Sequence, residues 1–342
     1  MTNAPQTMQR VLIVTDAWLP QVNGVVKSLQ NTAAQLEARG HTVGFVTPLS
    51  FRTLPCPTYP DIRLSLTTPG AVAKHIDAFA PDALHIATEG PLGWAARSIA
   101  LKRGWAFTSA YHTRFPEYVS SRSPIPESWS YALLRRFHGA SAAVMVPTHS
   151  IIDDLQTRGF DRVVHWSRGV DHSIFRMDPP QARRADKPPV FLYAGRVSVE
   201  KNIEAFLQLD LPGEQWVAGG GPALEGLRKK YPKAKFLGMK THAELADVYR
   251  QARVFVFPSR TDTFGLVLVE AMACGLPVAA YPVPGPLDVV GDSGAGALDT
   301  DLRAACLRAL EVAPETAAAH AQQFNWPAAT AQFAAALVPI SG

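Results

Sequence analysis

A chain of 342 residues is long enough for two domains, each burying its own core. A hydrophobic fraction of 47% and a charged fraction of 18% exclude a disordered chain, and the most apolar stretch, Phe264–Val283, carries Glu270 and Pro277 and does not suit a membrane span. The formal charge of +4 arises wholly before residue 176, where 16 Lys and Arg face 12 Asp and Glu, against 17 and 17 in residues 176–342; so small an excess selects no nucleic-acid or membrane partner.

The opening MTNAPQTMQR has no apolar run of the kind a secretory signal needs, so none is expected. Cys56, Cys274 and Cys306 stand singly, without the paired spacing of a zinc site or disulfide framework, which suits a reducing cytoplasm. Arg10–Thr15 reads as a buried strand, followed by a loop, a helix from about Val25 to Arg39, a stop at Gly40 and a strand at Thr42–Thr47. Ala83–Ile86, Ala106–Ala110 and Ala143–Pro147 continue as short apolar strands. Met177–Pro189, rich in Pro and charge, reads as a linker. A second series follows with strands at Val190–Tyr193, Gln215–Ala218, Lys235–Leu237, Val254–Phe257 and Val278–Ala280. Helices intervene at about Asn202–Leu207, Ala223–Tyr231, Ala243–Arg250 and Leu266–Ala273.

Strands alternating with helices of this length build parallel sheets, so the fold class is α/β with two Rossmann-like domains. The expected division is an N-terminal domain over 1–176, the linker, a second domain over 190–325, and a last helix over 326–342 that crosses back to the first. A ligand is expected at the carboxyl ends of the strands, in a cleft between the domains.

Within the second domain, Asp262 and Glu270 are eight apart, with Phe264-Gly265 between them and a helix beginning at about Leu266. A helix start offers free N–H groups and a positive dipole end, which favours phosphate. Glu270, one turn into that helix, and Asp262, before the turn, can each accept hydrogen bonds from ligand hydroxyls. A satisfied helix cap and a buried Glu are the plain alternative. Arg196 and Lys201 follow a strand, where two cations suit a diphosphate leaving group in place of a divalent metal, or simply form a solvated basic turn. Gly219-Gly220-Gly221-Pro222 forms a glycine-rich turn at the next strand end, and Gly238-Met239-Lys240 ends the one after.

In the first domain, Pro20–Val26 joins strand to helix with Asn23-Gly24 at its tip, and it lacks the dinucleotide fingerprint of an oxidoreductase. Asp16 closes the first strand, either to orient an acceptor hydroxyl or to cap a helix. His112 ends a strand, with Arg114 and Glu117 close behind it. Arg114–Phe137 mixes aromatics with Arg114, Arg122, Arg135 and Arg136, and suits either peripheral contact with an anionic membrane or a core helix with a solvated edge. No nucleic-acid-binding module is recognisable.

Five of these patches, PQVNGVV (Pro20–Val26), YHTRFPEY (Tyr111–Tyr118), GRVSVEKN (Gly195–Asn202), GGGP (Gly219–Pro222) and SRTDTFGLVLVEAMACG (Ser259–Gly275), resemble glycosyltransferase family 4. The resemblance spans the chain from Val11 to about Trp326. It implies the GT-B fold and a retaining, metal-independent hexosyltransferase that uses a UDP- or GDP-linked sugar and needs no cofactor. On that resemblance His112, Arg196, Lys201, Asp262 and Glu270 are catalytic. Gly24, Gly220, Gly221, Gly238, Met239, Lys240, Thr263, Phe264, Gly265 and Leu266 bind the donor, and Asp16, Asn23, Arg114 and Glu117 lie at the acceptor. Attack is implied on the same face as the departing group, with leaving-group phosphate taking the acceptor proton. Arg168-Gly169-Val170-Asp171 matches the family's hinge, with Arg for its usual Asn.

Two departures carry information: Asp stands at 262 where the family's motif has Glu, and Gly220 where an acidic residue is more frequent. TDTFG, NGVV and YHTRFPEY together resemble the subgroup of mannosyl-, sulfoquinovosyl- and glycosyl-diacylglycerol-forming enzymes. The expected acceptor is therefore a membrane lipid such as diacylglycerol, reached from the cytoplasmic face. A cell-envelope polysaccharide or lipopolysaccharide is the alternative acceptor, and a non-catalytic nucleotide-sugar-binding protein the alternative class.

Overall fold

The computed structural model describes residues 9–21, 23–56, 59–120, 126–178 and 188–340. Most of the expected linker, residues 179–187, lies outside them, as do Val22 and Arg122. The chain divides into two compact units, Met1–Ser167 with Trp326–Gly342, and Arg168–Asn325.

The first unit is built on six strands: β1 (Arg10–Val14), β2 (Thr42–Val46), β5 (Ala83–Ile86), β6 (Thr108–Ala110), β7 (Ala143–Val146) and β8 (Val163–His165). They pair in parallel in the order β2-β1-β5-β6-β7-β8. β3 (Arg52–Cys56) and β4 (Tyr59–Leu66) form a separate antiparallel hairpin. The helices are α1 (Gly24–Glu37), α2 (Pro69–Phe79), α3 (Pro91–Arg103), α4 (Phe115–Ser120), α5 (Glu127–His138) and α6 (His149–Thr157). In β1 the side chains alternate between two cores: Val11 and Ile13 pack on one face, Leu12 and Val14 on the other. Both faces are covered, which is why the strand reads as an unbroken apolar run.

The hairpin escaped the sequence because its pattern is inverted. Leu54 and Leu66 are about half exposed, whereas Ser65 between them in alternation is buried. Pro55 and Pro60 further weaken a strand reading.

In the second unit β9 (Val190–Ala194), β10 (Glu214–Ala218), β11 (Lys235–Gly238), β12 (Val254–Phe257), β13 (Val278–Ala280) and β14 (Gly296–Leu298) are parallel in the order β11-β10-β9-β12-β13-β14. The helices are α7 (Ile203–Leu207), α8 (Leu224–Lys230), α9 (His242–Gln251), α10 (Leu266–Ala273), α11 (Pro286–Val289), α12 (Leu302–Leu310) and α13 (Pro314–Ala321). β9 repeats the rule of β1: Phe191 and Tyr193 enter one core, Leu192 and Ala194 the other. The hinge sequence groups with this unit, not with the first, because Val170 N donates to Phe324 O and Val170 bridges Asn325. The division thus falls at 167, where the texture of the sequence placed it at 176.

The last helix, α14 (Trp326–Ala336), belongs to the first unit and packs on α1. Beyond it Ile340 N donates to Asp82 O. Among the described residues no helix is long and apolar enough to cross a membrane.

Candidate active site

Strand order reverses between β9 and β12, so the loops leaving their carboxyl ends part and leave a crevice there. The two loops, Gly195–Asn202 and Pro258–Gly265, carry Arg196, Lys201, Asp262, Thr263, Phe264 and Gly265. Lys201 Nζ donates to Asp262 Oδ1 at 2.5 Å across the gap. Asp262 Oδ2 is buried and has no hydrogen-bond partner among the described residues. Asn202 holds the loops together: its backbone is left-handed, with φ of 53°, and its amide donates to Pro258 O at 3.1 Å. Asn is among the few side chains that accept this conformation.

Arg196 is placed by its own carbonyl. Tyr193, buried at the end of β9, donates its hydroxyl to Arg196 O at 2.7 Å. Sequence reading missed Tyr193 because it sits in a strand pattern, where an aromatic signals only core.

Gly265 opens α10 with φ of 83°, a region that favours glycine, and a Cβ there would stand 3.0–3.1 Å from Leu268 and Phe257. Glu270 lies further into α10, buried, with Tyr249 Oη 3.5 Å from its Oε2. Burial, and then the neighbouring Glu270, push the Tyr249 hydroxyl well above its usual pKa, so it remains a donor. Phe264 turns into the hydrophobic core, edge-on to Phe324 at 5.8 Å, and Leu266 packs against the same core. Phe264, almost wholly buried, is left to meet a ligand through its backbone.

The glycines after β10 answer a steric demand. Gly195 N donates to Ala218 O, Gly219 N to Gly238 O, and Val197 N to Gly220 O, so the loops after β9, β10 and β11 are laced by backbone hydrogen bonds. A Cβ on Gly219 would lie 1.9 Å from Gly195 O, and one on Gly221 2.4 Å from Val197 O. Gly220 is different: its Cβ would meet only the flexible end of Met239, at 3.0 Å. Met239 is exposed, and with Gly238 and Lys240 it precedes α9, which Thr241 and Glu244 close as a capping box.

In the first unit the candidates fall at strand ends too, but most are engaged by the fold. Asp16 follows β1 and accepts from Leu92 N (2.9 Å), Gly93 N (3.2 Å) and Thr88 Oγ1 (3.0 Å), capping α3. Asn23 Oδ1 accepts from Val25 N and Val26 N at 3.0 Å, capping α1, whose first residue is the exposed Gly24. Arg114 donates to Glu117 (2.9 Å) and Asp154 (3.3 Å), and Tyr131 donates to the same Glu117 oxygen at 2.8 Å. Arg114 and Glu117 thus fasten the loop after β6 to α5 and α6. His112 stands in that loop, edge-on to Trp166 with ring centres 5.6 Å apart.

Residues 22–174 match the family described as Glycosyltransferase Family 4, and residues 175–301 match Glycosyl transferases group 1. The chain belongs to glycosyltransferase family 4. Its relatives include the GDP-mannose-dependent alpha-mannosyltransferase of Mycobacterium tuberculosis, 29% identical over 84% of this chain and 83% of that one. The alpha-monoglucosyldiacylglycerol synthase of Streptococcus pneumoniae is 26% identical over 90% of this chain and 79% of its own. These are relatives of the kinds to which the TDTFG, NGVV and YHTRFPEY patches pointed. A solved sucrose-phosphate synthase from Thermosynechococcus elongatus superposes with a TM-score of 0.79 over 96% of this chain and 98% of that one, at 21% identity. That likeness is one of fold, and the fold is GT-B: two Rossmann-like units, each on a parallel six-stranded sheet. This family 4 protein is a glycosyltransferase that uses a nucleotide sugar.

Proposed function

We propose that this glycosyltransferase moves a hexose, with retention of configuration and without a divalent metal, from a UDP- or GDP-sugar to a hydroxyl of a membrane lipid such as diacylglycerol. The observation that carries the donor half is the gathering of Arg196, Lys201 and Asp262 on the two loops that part at the second sheet's switch point. Arg196 and Lys201 supply counter-charge to a diphosphate as the bond from C1 to its oxygen breaks. The acceptor oxygen bonds to C1 on the same face, and its proton passes to the leaving phosphate. Glu270 takes ribose hydroxyls, and Asp262 those of the sugar. His112 attends the positive charge at C1.

The lipid half rests on two supports. One relative is named for making a glucosylated diacylglycerol. On α5, Trp129 is 73% exposed, with Leu133 a turn further along and Phe115 exposed on the adjacent α4. Arg136, seven residues after Trp129 and three after Leu133, shares their helix face, so the patch combines an aromatic anchor with positive charge, as a protein at the inner face of an anionic membrane needs.

The decisive experiment is a screen of UDP- and GDP-sugars with diacylglycerol, reading nucleotide release and product mass. Release with a glycosyl-diacylglycerol product is expected. A product formed only on a polysaccharide or lipopolysaccharide acceptor would overturn the lipid assignment, and no release with any donor would overturn transfer itself. Sedimentation with anionic vesicles tests the surface: Trp129→Glu should lower the bound fraction severalfold at low salt.

A further inference from the structure

The ion pair between Lys201 and Asp262 joins two groups that a nucleotide sugar needs separately. Their side chains are 21% and 19% exposed, so water screens the pair less than one at the open surface. Neither end is free to drift. Asn202, next to Lys201, is tied to Pro258 O, and Gly285, with φ of 88°, comes so close beneath Asp262 that a Cβ would stand 2.9 Å from the Asp262 carbonyl. A diphosphate that binds Lys201 must therefore take the ammonium from Asp262 or share it. Asp262 Oδ2, buried without a donor among the described residues, is already unsatisfied, and such a group is costly to leave unpaired.

We infer that Asp262 discriminates between the intact donor and the nucleoside diphosphate product, and so promotes product release. This rests on Lys201 being the counter-charge of the diphosphate. An intact nucleotide sugar takes Lys201 with its phosphates and offers sugar hydroxyls to Asp262, so both partners stay satisfied. A bare nucleoside diphosphate takes Lys201 and leaves Asp262 without its cation, with Oδ2 still buried and without a donor among the described residues. Once the sugar has left with the acceptor, Asp262 reclaims Lys201 and weakens the hold on the product.

Calorimetric titration of UDP and GDP, and of UDP-glucose and GDP-mannose, into the full chain tests this. Asp262→Asn keeps the shape of the side chain and removes the charge. It should bind the nucleoside diphosphate about fivefold tighter than the wild type, the size of a favourable ion pair, with no equal gain for the intact donor. In a Lys201→Gln background the gain should vanish. Asp262→Ser removes the same charge by another route and must give the same sign. An unchanged or weaker affinity in Asp262→Asn overturns the inference, as does an equal gain for the intact donor. A gain of the same size without Lys201 also overturns it, because repulsion alone would then suffice. If neither nucleotide binds the wild type or any variant, the reading of the site itself is overturned.

Discussion

At the carboxyl end of the first sheet Asp16, Asn23, Arg114 and Glu117 are engaged by the fold, while at the end of the second Lys201 and Asp262 are paired with each other. Asp16, Asn23, Arg114 and Glu117 hold backbone N–H groups of α1 and α3, or tie one helix to another. Lys201 and Asp262 instead bridge two diverging loops, and one carboxylate oxygen is left without a donor among the described residues. The difference follows from how each loop is held. In the second unit the loops are fixed by backbone hydrogen bonds from Gly195 to Ala218 and from Gly219 to Gly238, with the Asn202 amide on Pro258 O, and this fixing draws on neither Lys201 nor Asp262. In the first unit side chains do the fixing.

The strongest test of that contrast is the pair Gly219 and Gly220. Gly219→Ala forces a Cβ to within 1.9 Å of Gly195 O at a φ of 135°, and no flexible side chain stands in the way to yield. It should lower the stability of the protein by about 3 kcal/mol or more, combining backbone strain with overpacking. Gly220→Ala, one residue on, meets only the tip of Met239 and should change stability by less than about 1 kcal/mol. Denaturant unfolding of both variants decides it. Equal losses would mean that the glycine run is merely a flexible turn, not a backbone lattice.

How legible this was in the sequence differs between the units for the same reason. The inner strands could be read because parallel strands buried on both faces are continuous apolar runs, as in RVLIV and VFLYA, whereas the edge strands β8 and β14, three residues each and only half-buried, were missed. The second unit's candidates could be named only because their patches together resemble a known family; singly, two cations after a strand, a glycine-rich turn or a buried Glu in a helix is common. The first unit's candidates were ambiguous: Asn before Gly-Val-Val is also a helix N-cap, and Arg-x-x-Glu is also a local ion pair. Tyr193 and Asn202 escaped because their roles depend on partners distant in sequence or on a φ that composition does not reveal. The hairpin at Arg52–Leu66 escaped because Leu54 and Leu66 face outward.

A smaller effect is expected at Asp16. Asp16→Ala strips the cap from α3, leaves the amides of Leu92 and Gly93 without an acceptor, and should cost about 2 kcal/mol. Asp16→Asn retains an acceptor oxygen and should cost less. Burial raises the carboxyl above its ordinary 3.8, against the lowering by the two amides and Thr88. The fold therefore favours the protonated form. That contribution is complete below the unfolded value and is lost as pH rises through the folded one. The wild type should accordingly gain on Asp16→Asn as pH falls from neutral towards 3.8, measured by urea unfolding. A wild type that loses ground over that range would mean that hydrogen bonding, not burial, sets the charge of Asp16.

The smallest effect, and the sharpest separation of fold from function, is at Asn23. Its side-chain oxygen caps α1, and its amide donates to Gln21 Oε1 at 3.0 Å, so every polar atom of the side chain has a partner inside its own loop. Asn23→Ala should cost about 1 kcal/mol, and Asn23→Ser, which restores a capping oxygen, should recover most of it. If capping is the whole role, transfer activity follows stability and returns with Ser. If the amide also touches the acceptor, the Ser variant regains its stability while its KM for the acceptor stays raised, and Asn23 is then a binding side chain as well as a cap.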